Sequence, residues 1–409
     1  MHLPSSSTLI FLSTLPLLTA ALPASNGIHG RNPAHNGKAI YLITNGVENS
    51  VAALPISADG TLGDAKLTPT GGKGGATVNA MGQPAAPDSL VSQSALTIAG
   101  KHIFAVNAGS NTISMFAIDS KDPTWLKMVG EPAALPGTFP NTVAASAKNS
   151  LVCVGTTGSK AGISCANFDA KHGIGAMDAL RPFPLGQSDP PSGPVNTVSH
   201  TFFSADQLTL FTTVKGNPMV NNTGFLSAFS VDRGETADCA VTLSTKETRS
   251  KPNGTAVLFG SQPIPDTNPP QIFSTDASFG AAILSVSPSS TATTLALGPI
   301  ADQMATCWVA ISPVTKTAYV TDVAINRIVE MSLKDASITG EIDLRMQTKS
   351  PGFIDLRAAG GYLYALAPGN ATVKAAVSVV DLASKALVQQ KELAPFGIAA
   401  TAMGMAVLM

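Results

Sequence analysis

Between residues 104 and 119 the chain reads FAVNAGSNTISMFAID, two apolar runs joined by a small polar turn. The same pattern returns at 41 (YLITNGVENSVAALPIS), 152 (VCVGTTGSKAGISCANFD), 319 (YVTDVAINRIVEMSL) and 364 (YALAPGNATVKAAVSVVDL). Aligning these hairpins, with weaker copies near 208–231 and 271–287, gives seven units. A shorter apolar strand precedes most of them, as in SALTIAG at 94, TVAASAK at 142, HTFFSAD at 200 and CWVAISP at 307. A looser fourth strand follows, such as WLKMVGEPAAL or SITGEIDLRM. Four strands per unit, repeated at a fixed period, predict an all-β fold: a seven-bladed β-propeller with four antiparallel strands per blade. Runs such as YLYALAP and LTLFTTV are apolar on both faces, so each sheet needs cover on both sides. Stacking the sheets around an axis supplies that cover. A sandwich would not repeat seven times, and solenoid coils have shorter periods. Unit five, 254–300, is the least regular, with PIPDTNPP read as an inserted loop.

The first unit lacks an inner strand before Lys38, and the chain ends on a spare one, GIAATAMGMAV. The terminal strand is therefore expected to close blade 1, which accounts for an apolar tail without a lipid-anchor signal. Residues 38–409 form the propeller in this reading. Residues 1–21 read as a secretory leader: the apolar segment Leu9–Leu18 runs into the small residues Thr19-Ala20-Ala21 and is short for a membrane span. Residues 22–37 are expected to be a flexible lead-in, and the mature protein to have no transmembrane span.

Composition sharpens this picture. Charged residues make up 12% of the 409, about half the usual share. The net charge of −1 offers no basic stripe for phosphates, so no nucleic-acid partner is expected. In an oxidising compartment, Asn221, Asn253 and Asn370 are sequon positions for glycosylation. Of four cysteines, Cys153 and Cys165 lie on the two arms of one predicted hairpin and are expected to pair. Cys239, on an outer strand, and Cys307, on an inner one, are too far apart to bridge and are expected to be free.

The blocks LVSQSALTIAGKHIFAVNAGSNTISMFAID and CWVAISPVTKTAYVTDVAINRIVEMSL resemble the lactonase-type seven-bladed propellers, often labelled 3-carboxymuconate cyclase-like. The Gly-rich TPTGGKGGATVNAMGQP and the FGAAILSVS segment fit the same pattern, and the resemblance spans residues 38–409. It implies a secreted protein. Gln93 in SQSAL, Cys307 in CWV and Lys215 in TTVKGNP match positions of the secreted branch, and His200 falls near a turn that is His-rich in the enzymes. Enzymes of the family use His, Arg and Glu around the central channel, which are sparse on the inner strands here.

Ligands of propellers usually sit over the axis, at the starts of the inner strands. Gln93, Asn141, His200, Cys307 and Asp355 are therefore the candidate channel residues, with His200, Lys215 and Asp355 the candidate catalytic groups. His200 titrates near neutrality and suits acid–base work, while a thiol in an apolar strand suits packing. Asp355 and Arg357 suit an ion pair. GGKGG at 71 lacks the GK[ST] ending of a phosphate loop and reads as a flexible loop. No metal-ligand spacing occurs, and no cofactor is expected. The expected function is that of a secreted or cell-wall-associated binding or surface protein, antigen- or adhesin-like, a monomer acting on an unknown small molecule or surface partner. The alternative is a cofactor-independent lactonase or carboxymuconate cycloisomerase using the central channel.

Overall fold

The computed structural model describes residues 37–233, 240–370 and 372–409. The expected leader and nearly all of the lead-in lie outside these residues, as does Cys239.

Seven antiparallel sheets follow one another along the chain, each ordered inner to outer. In blade 6, for example, the strands are Thr306–Ser312, Thr317–Asp322, Arg327–Ser332 and Ile338–Asp343. The second strands are the most apolar and the most buried: Tyr362–Ala367 is buried at every position. Outer strands such as Ala292–Pro299 alternate between buried and exposed, since only one face meets a neighbour. Blade 5 is regular, contrary to expectation, because Pro263 and Ile264 still pair with Ile272 and Gln271 and only residues 265–270 loop out. The irregular blades are the second and third, whose outer strand is split into two short pieces.

The ring closes with the C-terminal strand. Met403–Leu408 pairs antiparallel with Ala39–Ile43, setting Leu408 opposite Ala39 and Ala406 opposite Tyr41. Its residues Met403, Met405 and Ala406 are buried in the main core. Cys153 and Cys165 face each other across their hairpin, Cα atoms 4.1 Å apart, and form a disulfide. It encloses a sequence separation of 12 residues, so a Cys153→Ser/Cys165→Ser double variant is expected to lose about 2–3 kcal/mol of stability, read by urea unfolding. Unchanged stability would mean that the hairpin is already as constrained in the unfolded chain. Cys307 is free and buried.

The Gly-rich stretch is not a loose loop. Gly74 donates its N–H to the Gly46 carbonyl, and Asn45 brackets Gly75 through both its side-chain atoms. A Cβ on Gly74 would stand 2.2 Å from the Asn45 carbonyl, so only glycine lets this connection lie flat on blade 1.

Candidate functional site

The connection from Thr70 to Ala95, between blades 1 and 2, is long enough to reach the axis, and its last part does. Residues 89–94 are all buried. Three inner strands hold them. From blade 3, Asn141 Nδ2 donates to the Leu90 carbonyl, Ser92 donates to the Asn141 carbonyl, and Val143 N–H bonds the Ser94 carbonyl. From blade 4, the Ser199 carbonyl accepts the Gln93 N–H. From blade 6, Trp308 Nε1 donates to the Ser92 carbonyl, and Gln93 Nε2 donates to the Val309 carbonyl at 2.9 Å. Gln93 Oε1 in turn accepts the Val309 N–H. Gly260 makes room for this reach, since a Cβ there would lie 2.1 Å from Gln93 Oε1. The axis is thus plugged rather than open, and Gln93 spans it as a structural tie.

The plug leaves two cavities. One, of about 300 Å³, is walled by residues at or just before the starts of inner strands, Val257, Phe259, Cys307 and Trp308, and by Lys215 and Asp88. The connections around Asn79–Val91 and Gly193–Pro194 cover it, joined to each other through Val78 and Ser192. The other, of about 470 Å³, is walled by residues from the ends of inner strands, Gln262, Pro263 and Ile311, with His200, Ser94 and Arg357. Inner strands of a propeller run the same way in every blade, so the two cavities open at opposite ends of the axis.

This separates the sequence candidates. Lys215 and Cys307 share the first cavity, and His200 lines the second. Asp355 and Asn141 line neither: both are buried as ties. Asp355 stands in the left-handed region (φ 58°), where its carboxylate accepts from Leu356 N–H, Met405 N–H and the Arg357 guanidinium. Burial raises its pKa, opposed by Arg357.

His200 is fully committed. Ser261 N–H donates to Nδ1 at 3.1 Å, so the neutral ring carries its proton on Nε2 and donates it to Ser94 Oγ at 2.9 Å. Burial, then the positive charge of Arg357, lowers its pKa to about 3. In this arrangement Nε2 cannot take a proton from Ser94. The unfolded chain protonates this histidine below 6.5 and the folded chain does not, so the stability it contributes is complete above 6.5 and is lost as pH falls towards 3. Between pH 6.5 and 5 the wild type is expected to lose about 2 kcal/mol more than a His200→Gln variant, by urea unfolding at each pH. Equal losses would mean that the imidazole is solvated.

The first cavity is mostly apolar, with three titratable groups. Lys215 follows the strand Thr209–Val214 and is 1% exposed. Its Nζ donates to the Val91 carbonyl and stands 4.4 Å from the centre of the Phe259 ring. Among the described residues no carboxylate lies within 4.0 Å of it. Desolvation lowers its pKa, opposed by the charge of Asp88. Asp88 accepts the Val91 N–H at 2.8 Å, and burial raises its pKa, opposed by Lys215. Cys307 is also pushed up by burial and stays a thiol. Sequence reasoning missed Asp88. It is the only acidic residue between Asp64 and Asp119, and it directly precedes SLVSQSAL, which was signal enough to flag it. Among the described residues no cluster suited to a metal ion occurs.

Solved structures share this ring. A Bacteroides fragilis protein assigned as a 6-phosphogluconolactonase superposes with a TM-score of 0.60 at 12% identity, covering 91% of this chain and 98% of that one. The periplasmic gluconolactonase of Pseudomonas aeruginosa gives 0.60 at 12% identity, covering 90% and 99%. A Bacteroides uniformis protein assigned as a 6-phosphogluconolactonase gives 0.57 at 13%, covering 90% and 99%. The fold is that of the lactonase-type propellers. No family model matches the sequence, and no curated protein is similar to it.

Proposed function

We propose that this is an extracytoplasmic propeller that binds a small molecule with an apolar body and one acceptor oxygen, a carboxylate or lactone carbonyl, in the Lys215 cavity. The observation that carries the reading is Lys215 itself. An ammonium has three N–H donors, and here one meets a carbonyl and a ring face takes a second. A buried cation is costly unless it is paired, and a ligand anion completes it. Phe259, Trp308, Val257 and Val91 supply the apolar wall. The disulfide supports an oxidising compartment, and the sequence of residues 1–21 supports export. Among the described residues, no helix is long and apolar enough to cross a membrane. The exposed Asn221, Asn253 and Asn370 suit glycosylation of an exported chain.

Titration calorimetry with 3-phenylpropanoate tests this. Binding is expected at neutral pH, weakening as pH rises, because Lys215 loses its proton below the ordinary lysine value of 10.5 and Asp88 ionises over the same range. The charged groups acting on Lys215 are Asp88 and Cys307, and both become more negative as pH rises, so the sign is fixed. Affinity that is flat or rising with pH would refute the site.

A second reading is favoured by the convergence of Asp88 and Lys215 in one cavity and by the lactonases among the structural neighbours. An amine attacking a lactone would leave a stable amide, so hydrolysis would instead use Asp88 as base towards water and a Lys215 N–H as donor to the developing oxyanion. Lactone turnover present in the wild type and absent in Asp88→Asn would establish it. A panel that stays unhydrolysed leaves binding as the activity.

A further inference from the structure

The cavity places a lysine amine where surface lysines never stand. Its walls are apolar, the plug carbonyl of Val91 fixes its direction, and the Phe259 face lies beneath it. The wall also holds a carboxyl group able to give and take a proton, Asp88, at the cavity's half-buried edge. The third cavity group, Cys307, is the only rival nucleophile. These are the parts that reversible capture of an aldehyde requires: a fixed, dehydrated amine, a proton carrier, and a pocket that keeps water from reversing the product.

We infer that Lys215 captures small apolar aldehydes as an imine, with Asp88 ferrying the protons. This rests on the Lys215 cavity being the ligand site and adds a substrate class to it. The step balances without an oxidant. The ammonium gives up one proton to the Asp88 carboxylate, and the free amine attacks the carbonyl carbon, whose oxygen takes that proton from the Asp88 carboxyl. Asp88 then takes a second proton from the carbinolamine nitrogen and delivers it to the hydroxyl, which departs as water, leaving C=N to Lys215 Nζ. Ammonium plus aldehyde thus gives protonated imine plus water. Desolvation, which lowers the lysine pKa, enlarges the amine fraction near neutrality, as it does for buried lysines generally. Cys307 does not compete well, because its burial keeps it a thiol rather than a thiolate.

The test uses the whole protein with 3-phenylpropanal and sodium cyanoborohydride, which reduces an imine to a stable secondary amine, followed by peptide mapping. The adduct is expected on Lys215, exceeding that on any surface lysine by roughly tenfold, since burial lowers a lysine pKa by more than one unit. It should disappear from that peptide in Lys215→Met, and it should slow in Asp88→Asn with the folded state unchanged by circular dichroism. Trapping should rise with pH as the Lys215 amine forms and fall again once Asp88 has lost its proton, whereas 3-phenylpropanoate binding should only weaken. If label spreads over surface lysines with Lys215 unmodified while 3-phenylpropanoate still binds, the imine fails and the binding reading stands. If neither probe engages Lys215, both fail. Retention of aldehyde on Cys307 instead would also overturn the inference.

Discussion

Asp355→Asn is expected to destabilise the protein by roughly 3–5 kcal/mol, because removing one partner of a buried ion pair strands the other. Asparagine tolerates the left-handed backbone at this position and keeps the side-chain shape, but it removes the charge and turns an amide donor towards Leu356 N–H or Met405 N–H, from both of which the carboxylate accepts. Three structural parts meet at this carboxylate. Leu356 N–H and the Arg357 guanidinium belong to the inner strand of blade 7 and its start, Met405 N–H belongs to the closing strand, and Gln93 Nε2 approaches from the plug at 3.4 Å. Arg357 is 13% exposed in its side chain, which favours the lower end of the range. Urea unfolding followed by tryptophan fluorescence reads it directly, since Trp308 packs on the plug. A midpoint within error of the wild type would show that closure does not depend on this anchor.

Lys215→Met is expected to act in the opposite sense on stability and strongly on binding. Methionine fills a similar space against Phe259 and Val91 without a charge to desolvate. Replacing a buried charge by a fitting apolar residue is often neutral or stabilising by about 1–4 kcal/mol. Loss of the single cation should weaken 3-phenylpropanoate by roughly 10–100-fold, the worth of a hydrogen bond to a charged group. A purely structural lysine would give the reverse, a less stable protein that binds as before. Thermal unfolding and calorimetry on the same preparation separate the two.

The ring was legible because it rests on a signal repeated seven times. An apolar hairpin with a polar turn recurs at a steady period, and the spare terminal strand answers the missing first one. The C-terminal strand therefore fell where the count required, opposite Ala39–Ile43. The plug was not legible. Residues 70–95 carry no periodicity and are mostly glycine, proline, alanine and small polar residues, so nothing in them says that Gln93 crosses the axis to Val309. For the same reason the channel candidates looked equivalent. His200 is the third residue of its inner strand, whereas Cys307 is the second of its own. Trp308, also third in its strand, shares the cavity of Cys307, so it is the course of the plug and not the place along the strand that separates the two. Asp88 stands out in the sequence as an isolated acid, but its role comes from Lys215 across the cavity, which nothing in the sequence places beside it.

The most direct test is a crystal structure of the protein grown with 3-phenylpropanoate. The account predicts the carboxylate beside Lys215 Nζ, with the phenyl ring against the edge-to-face Phe259–Trp308 pair and the plug undisturbed. Ligand seated at the opposite mouth, beside Arg357 and His200, with the Lys215 cavity unchanged, would contradict it.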